Sequence, residues 1–296
     1  MASILVTGGT GLIGSNLCNL LKSKGHNVSI LSRSKTKKTN VFHWDIEKKH
    51  IDDEAILNAD YIIHLAGAGI ADKRWTKSRK KQLIASRVDS TNLLFEKVKE
   101  LNPNLKGFIS ASGIGFYGAI TSKKIFQEND APNNDFLSKI CILWEKEVYK
   151  FNSLNIRTVV LRTGVVFSKE GGALEKIIKP IKLGAGASIG NGKQYMPWIA
   201  MEDLCNMYVS AIENIEIKGI YNAVAPEHIT NEELTKSIAK TFKKPLWLPN
   251  IPSFFLKIIL GELAVILLEG SRVSSEKIKK TGFNFLFPTI EKYFSK

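Results

Sequence analysis

The sequence predicts a doubly wound, parallel-sheet α/β domain followed by a smaller C-terminal α/β domain. Three observations predict it. Over the first two-thirds of the chain, short β-branched runs alternate with helix-length segments, the signature of βαβ units. The runs are apolar almost throughout, as strands covered on both faces are. The first run passes directly into a glycine-rich turn that opens a helix-length segment.

Taken in order, strands are expected over 4–7, 28–31, 61–65, 107–111 and 158–161, and helices over 12–24, 80–100 and 136–151. After residue 168 the pattern changes: Gly171-Gly172 and the 184–187 run interrupt it, and 198–212 reads as a return to the main domain. A distinct tail begins at Pro226, punctuated by Pro245, Pro249 and Pro252. The expected boundaries are 1–225 for the large domain and 226–296 for the small one, with 169–197 contributing to the latter's side of the molecule. The apolar segment 254–268 is too short for a membrane span, which needs about 20 residues, and Lys257, Gly261 and Glu262 interrupt it. It is expected to be a buried helix or one that faces a second subunit, which would make a homodimer.

Composition bounds the function. With 296 residues, 44 % of them hydrophobic and 24 % charged, the chain can bury a large core without staples. Its three cysteines, Cys18, Cys141 and Cys205, are far apart and in no CxxC spacing. That argues against a disulfide framework or a zinc site, and no metal is expected. The chain opens on Ile4-Leu5-Val6 without the features of a secretory leader, so a reducing, cytoplasmic setting is expected. The net charge of +14 invites a nucleic-acid reading. The lysines are scattered, however, and the densest groups, 35–38 and 73–81, lie where a dinucleotide could sit. Nucleic acid is therefore not the expected partner.

Residues 7–14 read Thr-Gly-Gly-Thr-Gly-Leu-Ile-Gly. Gly8 lets the chain turn off the strand, Gly11 lets a pyrophosphate approach backbone N–H groups, and Gly14 permits close packing of the helix. Leu12 and Ile13 open the helix, whose N-terminus faces the anion. These are the features of a Rossmann dinucleotide site. The second strand ends Leu31-Ser32-Arg33-Ser34, followed by Lys35, Lys37 and Lys38. No carboxylate is there to grip a ribose 2′-hydroxyl, whereas Ser32 and Arg33 suit a 2′-phosphate. NADP(H) is the expected cofactor. Asp45 is either a partner for the adenine amine or an ordinary turn aspartate.

Further stretches carry a resemblance. They are His64-Leu65-Ala66-Gly67, Lys73-Arg74-Trp75 with Ser86-Arg87-Val88, and the run from Ser110 to Gly118. Then come Leu161 to Val166, Gly190-Asn191-Gly192 with Trp198-Ile199, Ala225-Pro226 with Thr230-Asn231, Leu267 to Gly270, and Gly282-Phe283. The chain resembles the extended short-chain dehydrogenase/reductases, and among them the atypical, YfcH-type epimerase family. The resemblance implies that Leu65, Ala66 and Gly67 lie along the cofactor ribose and that Val166 sits beside the nicotinamide. It implies that Arg87, with Gln82 on the same helix, reaches the pyrophosphate; the alternative for Arg87 is a surface ion pair. It also implies that the 190–195 loop and Trp198 line a substrate cleft, with a nucleotide sugar as one candidate class.

The family's active members use a serine, a tyrosine and a lysine four residues after it, the last two one helical turn apart. Aligned on 136–145 and on Tyr117-Gly118, this chain has Gly113, Leu137 and Cys141 at those positions, with Glu145 at the acidic position that follows. Ser110, Ser112, Tyr117, Cys141 and the Lys73-Arg74-Trp75 loop remain as groups near the expected site, and none is assigned a catalytic role. Cys141 reads rather as a small core residue, and Tyr117 reads as well as a packed aromatic. Two functions stay open: an NADP(H)-dependent oxidoreductase or epimerase with a departed catalytic set, and a non-catalytic NADP(H)-sensing regulator.

Overall fold

The computed structural model describes residues 1–36 and 38–295. Lys37, one of the lysines expected near the cofactor, lies outside the described residues. The strands in chain order are β1 (Ser3–Thr7), β2 (Asn27–Ser32), β3 (Val41–Asp45), β4 (His50–Ile51), β5 (Tyr61–His64), β6 (Gly107–Gly113), β7 (Ile125–Phe126), β8 (Arg157–Thr163), β9 (Val165–Ser168), β10 (Gly171–Gly172), β11 (Trp198–Ala200), β12 (Gly219–Ala223) and β13 (Arg272–Val273). The helices are α1 (Leu12–Ser23), α2 (Asp53–Leu57), α3 (Lys77–Leu101), α4 (Phe136–Tyr149), α5 (Ala173–Lys182), α6 (Met201–Glu213), α7 (Asn231–Thr241), α8 (Ser253–Leu260), α9 (Val265–Leu268), α10 (Glu276–Lys279) and α11 (Ile290–Phe294).

Eight strands form the main sheet in the order β12-β8-β6-β5-β1-β2-β3-β4. All pairs are parallel except β3 with β4, which turn back on each other at the edge. Strand order reverses between β1 and β5, the point at which open α/β sheets bind ligands. Alternation along each strand supplies two cores. Ile4, Val6, Ile63, Ile109 and Leu161 face α1 and α6, while Leu5, Ile62, Phe108 and Val160 face α2, α3 and α4. The apolar strands are thus covered on both faces, as expected.

The structure shifts some expected boundaries. α3 begins three residues before 80 because the Thr76 hydroxyl accepts the Arg79 backbone N–H at 3.1 Å and caps it. β6 and β8 run two residues past 111 and 161, because their ladder continues to the pair Gly113 with Thr163. A third core joins β9 and β11, through Phe167, Trp198 and Ala200, to α5, α7 and α11.

The apolar segment 254–268 is not one helix and is buried only in part: Leu263 and Ala264 are buried, with Leu260, Val265 and Ile266 packed beside Leu263. Gly261, at φ +61°, breaks it into α8 and a 3-10 turn that leads into α9. No residue of α8 is buried: Phe254 is 65 % and Ile258 68 % exposed. Among the described residues, Phe254, Phe255, Ile258 and Ile259 of α8 stay exposed, while Leu260 packs toward Trp75 and Leu137. No helix of the described residues is long and apolar enough to cross a membrane.

Candidate functional site

The glycine turn leaves β1 at Thr7. Gly8 takes φ +69°, a backbone conformation that L side chains rarely adopt. Gly14 does more than admit close packing of helix on strand. A Cβ there would stand 2.2 Å from the Gly8 carbonyl oxygen, so the first turn of α1 folds onto the turn itself. Gly9, which sequence reasoning passed over, is constrained less tightly: its Cβ would meet the Ile30 side chain at 2.9 Å. Gly11 occupies the N-cap position, and no side chain caps α1. The N–H groups of its first turn therefore have no side-chain acceptor, and no acidic residue occupies that turn. Backbone amides left free at a helix N-terminus suit an anion, and this turn forms a cradle of that shape.

Thr7 joins the turn to the loop after β5. Its hydroxyl accepts the backbone N–H groups of Leu65 and Ala66, each at 3.1 Å, and lies 2.7 Å from Nδ1 of His64. With both acceptances used, the hydroxyl proton goes to Nδ1, which leaves Nε2–H to donate to the Ser90 hydroxyl at 3.2 Å. Ser90 donates onward to the Ser86 carbonyl at 2.8 Å. His64 is fully buried, and burial together with the nearby Arg87 charge pushes its pKa down to about 3. The ring is neutral and serves as a strut between β1, β5 and α3. Thr7 and His64 both stand within the stretches singled out in the sequence, yet a local motif shows no partner 57 residues away.

The next loop is held from α3. Arg87 donates from Nη2 to the Ala68 carbonyl at 3.1 Å and from Nη1 to the Leu83 carbonyl at 2.9 Å, with its guanidinium over the Trp144 ring. A Cβ on Gly67 would meet that guanidinium at 3.1 Å. Arg87 is thus not in a surface ion pair: its guanidinium is spent on carbonyls. Gln82 is exposed, and its carbonyl accepts Nη1 of Arg79 at 2.6 Å, while Arg79 also reaches the Gly69 carbonyl. The structure therefore brings Gly8, Gly11, Gly14, Leu65 and Ala66 together and ties Gly67 to Arg87, but engages Gln82 elsewhere. Val166 lies on β9, partly buried and paired with Ile199 of β11.

At the end of β2, the Ser32 hydroxyl accepts the Ser34 N–H at 3.1 Å. Arg33 and Lys35 are exposed. Asp45 ends β3 and accepts the Lys48 N–H at 3.1 Å, the bond that holds its carboxyl below the usual range. That is the turn role foreseen for it. In the other lysine-rich group, Lys80 pairs with Glu262 and Arg74 lies against Gly261, so this group fastens the C-terminal segment.

Gly113, Leu137 and Cys141 do converge. Cys141 Sγ donates to the Gly113 carbonyl at 3.4 Å, and a Cβ on Gly113 would lie 3.7 Å from that sulfur. A Cβ on neighbouring Gly115 would stand 3.1 Å from Cβ of Leu137. Leu137 packs with Phe136, Ile70, Trp75 and the α8–α9 residues Leu260 and Val265. Burial pushes the Cys141 thiol up to about 11, and the nearby Glu145 charge adds to this. The corner holds no ready proton donor.

The groups around it are engaged too. Tyr117 is 1 % exposed; it donates to Asn222 Oδ1 at 2.7 Å and accepts from Arg162 at 3.0 Å. Burial raises its pKa to about 12. Ser112 donates to Glu145 at 2.7 Å, and Ser110 is buried against the Ala111 carbonyl. Trp75 is buried and donates to the Ile70 carbonyl. Trp198 does not line a cleft as the resemblance implied: it is 1 % exposed and stacks on Phe167 in the third core. Beneath the corner lies a pair that sequence reasoning missed. Arg162 grips Glu145 through two parallel bonds of 2.9 and 2.8 Å, with its guanidinium over Phe116. Both residues are buried, and the pair ties β8 to α4.

Comparison with known proteins gives this geometry its context. Residues 4–223 match the NAD dependent epimerase/dehydratase family, and residues 251–296 match a domain of unknown function, DUF1731. The epimerase family protein YfhF of Bacillus subtilis is 35 % identical over 293 residues, covering 98 % of this chain and 95 % of that protein. The structure of human epimerase family protein SDR39U1 (isoform 2) with NADPH superposes with a TM-score of 0.89 at 29 % identity, covering 99 % of this chain and 97 % of that one. A nucleoside-diphosphate sugar epimerase from Corynebacterium glutamicum gives a TM-score of 0.81 at 30 % identity; the match covers 98 % of this chain and 56 % of that longer one. With a glycine turn between β1 and α1 of a doubly wound sheet, the chain belongs to the NAD dependent epimerase/dehydratase family, in its SDR39U1-like, atypical short-chain dehydrogenase/reductase branch.

Proposed function

We propose that the chain binds NADP(H) at the N-terminus of α1 and uses it in epimerase- or reductase-like chemistry on a small molecule. The observation that carries the reading is the uncapped first turn of α1, folded onto Gly8 so closely that no side chain fits at Gly14. Backbone amides there would hold the pyrophosphate. Ser32 and Arg33 would take the 2′-phosphate, Arg33 being exposed at the end of β2 with no acidic residue beside it. Leu65, Ala66 and Gly67 would follow the ribose, Val166 would flank the nicotinamide, and Arg87 would keep the 67–68 loop in place with Gln82 at its outer end. The NADPH of the human relative supports the cofactor, and the Corynebacterium relative supports a nucleotide sugar as substrate class. Residues 1–225 would then form the cofactor-binding domain, and 226–296, with 169–197, the substrate side.

Bound NADP(H) supplies a hydride donor or acceptor. This chain offers no proton-transferring side chain where the family's tyrosine stands, because Leu137 has no ionisable group, and at the lysine position the Cys141 thiol carries no positive charge and is bonded to the Gly113 carbonyl. A substrate would therefore exchange its proton with water or with its own groups. The test is turnover of NADPH with a panel of nucleotide sugars and small carbonyls. Tight cofactor binding without turnover on any of them would sink the enzymatic reading.

A second reading, a cofactor-sensing regulator, is favoured by the apolar corner and by the uncovered apolar face of α8. It expects NADP(H) to change the assembly state in sedimentation, including any homodimer. An assembly indifferent to cofactor would overturn it.

A further inference from the structure

At the sheet edge, β3 turns back as β4 and places four polar side chains on one face. The register pairs Trp44 with Ile51 and Asp45 with His50, and Asp52 donates its N–H to the His43 carbonyl at 3.1 Å. Trp44 and Ile51 point into the second core, so His43, Asp45, His50 and Asp52 share the opposite face. They line one surface depression together with Lys35 and Thr36. One nitrogen from each imidazole and one oxygen of Asp52 all lie within 4.8 Å of one another.

The carboxylate of Asp52 is already oriented. Asp52 occupies the N-cap position of α2, yet its side chain makes no capping bond there. Its Oδ2 instead accepts the His43 backbone N–H at 2.6 Å, while Oδ1 lies 3.1 Å from Nε2 of His50. Two ligands of one tetrahedral zinc, bound at about 2.0–2.1 Å, stand about 3.3 Å apart. Nε2 of His50 and Oδ1 of Asp52 are hydrogen-bonded to each other, at a separation close to that of two ligands of one ion, and the His43 nitrogen lies within 4.8 Å of both. Lys48 lies on the same face, its Nζ 3.8 Å from Asp45.

We propose that His43, His50 and Asp52 form a binding site for one divalent transition-metal ion of the zinc, nickel or copper class. Imidazole nitrogens select such ions over magnesium, and the backbone bond to Oδ2 supplies the outer-shell support that ligating carboxylates need. The three ligands are not residues of the cradle at Gly8, Gly11 and Gly14, but the depression they share with Lys35 and Asp45 adjoins the end of the cofactor site expected at Ser32 and Arg33. The cysteines gave no hint of a metal, because the ligand set is histidine-based and assembled by strand register. The ion would pin the β3–β4 hairpin, which closes the sheet edge beyond β2.

The test is calorimetric titration of the full chain with zinc chloride, nickel chloride and magnesium chloride separately. The expected result is one zinc or nickel ion per chain and no magnesium. His43→Ala and His50→Ala each weaken binding by about tenfold or more, since a direct ligand should matter at least as much as an outer-shell partner. Both side chains sit on a surface face, and circular dichroism checks that the variants fold. Copper bound to the wild type shows nitrogen hyperfine structure in electron paramagnetic resonance, which the double variant loses. Equal zinc affinity in wild type and double variant, or no saturable binding by the wild type, overturns the proposal.

Discussion

The cradle around Gly8 and the corner around Leu137 lie on the same sheet, and they are built on opposite principles. The cradle is backbone exposed for use: amides without side-chain acceptors, glycines where no Cβ fits, and a loop fixed by Thr7 and His64. The corner is side chains packed for stability. Leu137 sits in an apolar cluster, Cys141 is bonded to Gly113, and Arg162 with Glu145 locks the floor. The contrast is between a backbone geometry suited to a nucleotide and a packed corner in which Leu137 and Cys141 leave no side chain free to move a proton. The first depends on glycines and helix polarity, the second on two or three side chains that can be replaced singly.

The floor of the corner offers the largest expected effect. Arg162→Met leaves Glu145 charged and buried and is expected to cost about 3–5 kcal/mol in denaturant unfolding. The double variant Arg162→Met/Glu145→Met should lose less than either single one; an additive loss would show that the two do not act as a pair. In the cradle, Gly14→Ala forces a Cβ to 2.2 Å from the Gly8 oxygen. It should cost about 1–3 kcal/mol of stability and abolish NADPH binding in fluorescence titration. Full binding by that variant would break the contrast at its centre.

Arg33→Ala sharpens which nucleotide the cradle takes. It should lose about 1.5–3 kcal/mol of NADPH affinity, the worth of a hydrogen bond to a charged group, with NADH affinity unchanged. An equal loss for both nucleotides would remove Arg33 from the 2′-phosphate. His64 sets a pH dependence. Its folded pKa, about 3, lies below the ordinary 6.5, so the unfolded chain binds the proton more readily. The stability it contributes is whole above about pH 6.5 and drains away as pH falls toward about 3. Between about pH 7 and pH 5 the loss should be roughly 2 kcal/mol, absent in His64→Gln. The smallest effect concerns Cys141. With its thiol held near 11 and buried, it should resist iodoacetamide in the folded protein at neutral pH, as read by mass spectrometry. Rapid alkylation would reopen the thiol as a reacting group.

The sequence by itself determined the doubly wound class, the βαβ order and the glycine turn, because each rests on local periodicity or on backbone freedom at a single residue. It also placed Gly113, Leu137 and Cys141 at one corner, where the structure indeed brings them together. What only the tertiary structure decided depends on partners far apart in the chain. Trp198, expected beside a ligand, and Tyr117, expected either there or as a packed aromatic, are both buried against aromatic rings from other elements. The 254–268 segment, expected to be buried or subunit-facing, is split at Gly261 and leaves α8 uncovered. Arg162 finds Glu145 across 17 positions, and Thr7 finds His64 across 57. Periodicity records which face of an element is apolar. It carries no record of which polar group will stand opposite once the sheet has closed, and that pairing decides whether a side chain is free to react or is already spent.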